Sequence, residues 1–124
     1  MRTILLACGL ALTLVTQPTI WGGDHVELET KADGARLEFD CAHGDIREQV
    51  RPDAQGRFSV KGTFTPERSG PGPTRDDGPQ PLEATYAGVV KEDVMSLRVT
   101  VKGQETVQSY ELTRGQRGNV RKCR

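Results

Sequence analysis

Residues 94–102 constrain the fold more than any other stretch of this chain. Met95, Leu97, Val99 and Val101 alternate with Ser96, Arg98, Thr100 and Lys102. Side chains on a strand point to opposite faces in turn, so this is a strand with one apolar face and one wet face. A core lies on one side of it only. The stretch sits at the centre of residues 85–112, which read as three antiparallel strands in succession. Tyr86, Gly88 and Val90 share a face in the first, and Tyr110 and Leu112 point inward in the third.

The remaining segments must complete the other side of that core. Residues 25–31 alternate Val26 and Leu28 with Glu27, Glu29 and Lys31. Ala32-Asp33-Gly34 then reads as a turn, with Asp accepting backbone hydrogen bonds and Gly free to take a positive φ. Residues 35–41 alternate again, with Ala35, Leu37, Phe39 and Cys41 on one face. Residues 42–45 are predicted to turn the chain. Residues 46–50 form a weaker strand with Ile46 and Val50 inward. After a turn at 53–56, residues 57–64 place Phe58, Val60, Gly62 and Phe64 on one face.

Residues 65–82 break the pattern. They hold five of the seven prolines and no apolar period. Such a segment cannot bury enough to offset its ordering entropy, and reads as a disordered, solvated loop. A short Pro-rich partner ligand is the alternative reading.

No stretch has a helical period. The expected fold is all-β: a small antiparallel up-and-down barrel, or barrel-like meander, of six to seven short strands. Inward Gly62 and Gly88 favour the barrel, because glycines let strands bend sharply. A β-sandwich is the alternative, though the immunoglobulin type would carry a Trp between its cysteines.

The N-terminal residues carry an address. Met1 and Arg2 precede a twelve-residue apolar run at 4–15. That is short of the ~20 residues that a spanning helix needs, and fits a secretory signal peptide. The signal is placed at 1–22, with cleavage between about 15 and 23, and a single domain at 23–124. Cys8 sits in a lipobox-like Leu-Leu-Ala-Cys, but the apolar run continues past it, which argues against a lipid anchor. The protein is therefore expected to be periplasmic or extracellular, with no transmembrane span once processed.

Export bears on the cysteines. Only Cys41 and Cys123 remain after residue 23. In an oxidising compartment such a pair is expected to form a disulfide. Closing a loop of that length contributes roughly 4–5 kcal/mol in the chain-entropy model. Free thiols or a shared metal are the other options.

Chemistry is hard to find. Lys plus Arg and Asp plus Glu both number 17, so no global charge points to nucleic acid or an anionic surface. A Ser-His-Asp set can be drawn from Ser59, Ser96 or Ser109 with His43 and Asp45, but no Ser lies in a Gly-x-Ser-x-Gly elbow. His43 is expected to serve the turn after Cys41. Cys41-x-His43, with Asp45 and Cys123, falls short of a zinc pattern. Asp24-His25 at a new N-terminus could hold Cu(II) or Ni(II) adventitiously. Asp76-Asp77 and Glu92-Asp93 read as loop solvation. The basic tail has Arg114, Arg117, Arg121, Lys122 and Arg124 without interleaved aromatics, and is expected to be solvated.

Phe39-Asp40-Cys41-Ala42-His43-Gly44, Gly56-Arg57-Phe58, Gly62-Thr63-Phe64-Thr65, Tyr86-Ala87-Gly88, Met95-Ser96-Leu97 and Leu112-Thr113-Arg114-Gly115 recur in order before a final Cys. In these the chain resembles small exported bacterial β-rich proteins of unassigned function. The resemblance implies a bacterial source and an exported β-domain, and it brings no catalytic residue. The functional expectation is a monomeric, non-enzymatic domain without cofactor, binding a protein or a small apolar ligand through its loops. An inhibitor of a secreted hydrolase is one version. A small hydrolase or metal-dependent enzyme using His43 is the competing class.

Overall fold

The structure is a computed structural model and describes residues 18–67 and 80–123. The apolar run at 4–15, Cys8, Asp76-Asp77 and the middle of the Pro-rich segment lie outside the described residues. Eight strands run in chain order: β1 (Thr19–Gly23), β2 (Val26–Lys31), β3 (Gly34–Phe39), β4 (Ala42–Ile46), β5 (Arg57–Pro66), β6 (Leu82–Lys91), β7 (Val94–Val101) and β8 (Gln108–Arg114). Each pairs antiparallel with the next, and β1 pairs with β8 to close an up-and-down barrel. The barrel expectation holds; the count of six to seven strands was too low.

β7 behaves as its pattern predicts. Met95, Leu97, Val99 and Val101 are buried, and the residues between them are exposed. Val26, Leu28, Leu37, Phe39, Phe58 and Val60 join them in one core. Gly62 and Gly88 sit on the inward face, opposite Ile46 and Phe58. Side chains fill the interior, and no polar or charged residue is buried among those described.

Two strands depart from expectation. β1 occupies residues assigned above to the signal peptide. Trp21 is 5% exposed and belongs to the core. The Arg114 guanidinium lies 4.5 Å from the centroid of its ring, a cation–π contact. Residues 19–23 are thus a paired strand of the barrel, and a boundary at 22/23 would fall inside it.

The second departure is β4. Residues 42–45 are strand, not turn, and the reversal falls earlier, at Asp40 and Cys41, where Cys41 takes φ 55°. The inward positions of β4 are Ala42, Gly44 and Ile46, of which two are small. Gly44 is small for a reason: a Cβ there would strike the Tyr86 hydroxyl. Tyr86 reaches from β6 over the adjacent strand β5 and donates to the Thr63 carbonyl at 2.6 Å. Burial, then the negative charge of Asp45, push its phenol pKa upward. Val50 is not in a strand; it packs on the core from the β4–β5 loop.

The tail is the largest correction. It is not free in solvent. After Gly115 (φ 83°) the chain reverses and runs parallel to β1, with Gly115 N–H donating to Ile20 O and Asn119 N–H to Gly23 O. A Cβ on Gly22 would strike the backbone at Arg117 and Gly118, so the tail lies directly on the outside of β1. The tail then crosses to β2 and the β3–β4 turn. Gly118 N–H donates to Glu27, Arg121 N–H to Asp40, and Cys41 N–H to Arg121 O. The Cys41–Cys123 disulfide ends the strap, with 4.8 Å between the Cα atoms. Cys41 is half-buried in the turn and is not on the apolar face of β3, because β3 ends at Phe39.

Candidate functional site

The barrel has two ends. The β1–β2 turn, the β3–β4 turn and the β7–β8 loop gather at one of them, together with the disulfide. Two groups of polar side chains lie at that end.

The first group holds the tail. Lys122 Nζ donates to Ala42 O at 2.8 Å, to Phe39 O at 3.2 Å and to Glu38 Oε1 at 2.8 Å, and meets the Glu67 carboxylate at 3.1 Å. His43 Nδ1 hydrogen-bonds Glu67 at 2.8 Å. His43 thus points outward from β4 rather than serving a turn. Burial raises the Glu38 carboxyl, but hydrogen bonds from Lys122 and Arg36 outweigh it and leave the pKa below its ordinary value. Glu67 follows the same logic: burial raises it, and hydrogen bonds from His43 and Lys122 bring it down further. Every one of these charges faces an opposite charge or a backbone carbonyl. The group is a clasp, and nothing in it is left poised to react.

The second group lines a cleft of about 660 Å³. Its position follows from the strand lengths. β1 ends at Gly23, and its ladder with β8 covers only Trp21↔Arg114 and Gly22↔Thr113. Below that point β8 continues along residues 108–111 with no register partner on the β1 side. The barrel wall is split there. Ser109, Tyr110 and Glu111 form one lip, Asp24, His25 and Asp40 the other, and Phe39, Phe64 and Val101 lie at the base. The three aromatics touch: Phe39 sits 5.3 Å from Phe64 and 5.4 Å from Tyr110, ring centre to ring centre. Such tilted pairs suit the ring quadrupoles.

The electrostatics of the cleft are uneven. His25 Nδ1 hydrogen-bonds Asp40 at 2.6 Å. The Arg121 backbone N–H is the largest influence lowering the Asp40 carboxyl pKa, and the His25 contact adds to it. The carboxylates of Asp24 and Glu111 have no hydrogen bond or ion pair among the described residues. Neither does the Tyr110 hydroxyl; burial, then Asp40, push its pKa upward. The cleft therefore offers an apolar base, one free phenol and two uncompensated carboxylates.

The candidate chemistries drawn from the sequence separate in space. His43 pairs with Glu67 and not with Ser59, Ser96 or Ser109. The cleft does bring His25, Asp40 and Ser109 to one lining. Among the described residues no hydrogen bond joins Ser109 to the imidazole, and the His25 side chain is 67% exposed. Cys41 and Cys123 are spent in the disulfide. Among the described residues no group of three or more His, Cys, Asp or Glu side chains could hold a metal ion. Among the same residues no helix is long and apolar enough to cross a membrane.

The sequence offers Asp24-His25 as a terminal metal site and Ser109 as a nucleophile, and it does not place Asp40, Tyr110 or Glu111 at a site. The alternation of β8 marks Tyr110 as inward, but the gap beside it depends on where β1 stops. No protein-family model, no curated protein and no solved structure matches this chain.

Proposed function

We propose that this protein is an exported, non-enzymatic binding domain, and that its ligand occupies the cleft where β8 and β1 part. One observation carries the reading. The split combines an apolar base with polar groups that have no partner of their own, in a cavity of about 660 Å³. Ligand sites are typically ~300–1,000 Å³, apolar with a few placed polar groups. The barrel interior does not compete as a site, because Tyr86, Leu28, Leu37, Met95 and Leu97 fill it. A small apolar molecule is also a poor match for lips made of Asp24, His25, Asp40 and Glu111. An inhibitor of a secreted hydrolase is one form of this reading, with the disulfide-stapled end as the contact surface.

Native mass spectrometry of protein purified from its source cells tests the proposal, using wild type beside Ser109→Trp, which fills the cleft from its lip. A mass retained by wild type and lost from the folded variant supports the cleft as the site. Equal retention by both overturns it.

A further inference from the structure

The open lip of the cleft is backbone as well as side chain, and this narrows the kind of ligand. Arg114 N–H donates to Asp93 O at 2.8 Å, on the β7 side of β8. Peptide groups point to alternate sides along a strand. Leu112, Tyr110 and Gln108 therefore direct their N–H and C=O groups toward β7, opposite Met95, Leu97 and Val99. Thr113, Glu111 and Ser109 direct theirs the other way. Thr113 meets Gly22. Ser109 lies beyond the end of β1, and its N–H and C=O meet no strand and no loop among the described residues. Val107, just ahead of β8 and 45% exposed, makes no backbone hydrogen bond either.

An unpaired strand edge is a template for another chain. Most strand edges elsewhere in the barrel are occupied by neighbouring strands; β5 also runs past its β4 ladder at residues 57–61, where Asp53 and Glu48 of the β4–β5 loop meet Arg57 and Lys61. The free edge opens onto Tyr110 and Phe64, and faces three lining carboxylates against a single imidazole. Two of those carboxylates, Asp24 and Glu111, have no partner among the described residues.

We infer that the occupant of the cleft is an extended polypeptide segment. It adds to β8 at Val107 and Ser109, sets an apolar side chain over Tyr110, and brings a Lys or Arg side chain to Asp24 and Glu111. Strand addition of this kind draws affinity from main-chain hydrogen bonds and specificity from alternate side chains. An extended peptide supplies the paired C=O and N–H that the Ser109 amide and carbonyl can engage together. The inference rests on the cleft being the binding site, and it names the chemistry of the partner.

The probe is the peptide acetyl-Thr-Val-Lys-Val-Thr-Val-amide, titrated into ¹⁵N-labelled protein. Two relatives accompany it, one with alternate amides N-methylated and one with Glu in place of Lys. The parent peptide should shift the Val107, Ser109 and Glu111 amides and slow their hydrogen exchange. N-methylation should weaken it about ten-fold or more, since it removes the main-chain donors that add to β8. The Glu peptide should also bind more weakly.

Ser109→Pro gives a second arm. It removes an N–H that faces the open side and leaves the β7 ladder intact, so the barrel should fold and the peptide should be lost. Equal binding of the N-methylated peptide, or full affinity in a folded Ser109→Pro variant, overturns strand addition while leaving the cleft as a side-chain site. Failure of the parent peptide to bind at millimolar concentration also overturns strand addition, and the mass-retention experiment then decides the cleft separately. Shifts confined to surfaces away from the cleft overturn both readings.

Discussion

The wall formed by β5, β6 and β7 and the seam between β1 and β8 close the same barrel by different means. β5 and β6 share eight register pairs, and so do β6 and β7. The seam has two. The wall is held by its own ladder and by side chains that point inward from it. The seam is held from outside, by a tail laid over β1, a lysine clasp and a disulfide. A barrel can thus be closed with a short ladder if something else carries the load, and the ladder that is missing becomes an opening.

The two regions should therefore fail differently. Tyr86→Ala strikes the wall. It removes the largest fully buried side chain and its hydrogen bond to Thr63. A loss of about 3–5 kcal/mol is expected for a buried aromatic, read as one cooperative transition in urea. Replacing both cysteines, Cys41→Ser with Cys123→Ser, strikes the seam and should cost about 2–5 kcal/mol. Hydrogen exchange should show Asn119 and Arg121 losing protection while the amides of β6 and β7 keep most of theirs. Uniform loss across all strands would show that seam and wall are one unit.

A smaller effect should follow Lys122→Met. The clasp is only partly buried, so solvent screening limits its value to about 1 kcal/mol, although the change leaves Glu38 and Glu67 less well paired. The tail should loosen before the barrel melts, visible as faster exchange at Gly118 and Arg121.

Acid should act in the same direction and more mildly. The folded pKa values of Glu38, Asp40 and Glu67 lie below the ordinary 4.5, 3.8 and 4.5. The unfolded chain therefore binds more protons in this range. Their stabilising contribution is complete above the ordinary values and is lost as pH falls through the lowered ones. Exchange at the tail amides should accelerate below about pH 4, ahead of those in β7. Tail and β7 amides accelerating together would remove the distinction between seam and wall.

The same contrast explains what could be read in advance. β7 declares itself because every inward position is Met, Leu or Val and every outward one after Val94 is polar. The alternation of β2, β3 and β5 is nearly as plain. β4 hides because Ala42 and Gly44 leave no apolar mark, and the space above Gly44 is filled by Tyr86, forty-two residues later. β1 hides behind an apolar run that reads as an export signal. Only its partner strands and the Arg114–Trp21 contact show it to be barrel.

The disulfide was legible by elimination, but the course of the tail was not. The clue lay in charge. Glu27, Glu38 and Asp40 on β2, β3 and the turn after it match Arg117, Lys122 and the Arg121 amide. The cleft assembles Asp24, His25, Asp40 and Ser109 through strand register, and pairing between segments eighty residues apart is not written in either one.

The strap also fixes how the molecule would bear mechanical load. Tension applied upstream of β1 and downstream of Cys123 would enter the disulfide at Cys123 and cross directly to Cys41, bypassing the tail. β4 through β8 lie inside the covalent ring and would be shielded, and only β1, β2 and β3 could be drawn out. Each residue released ahead of Cys41 would add ~3.3–3.6 Å of length. Reduction would turn this short tether into one that pays out the whole barrel.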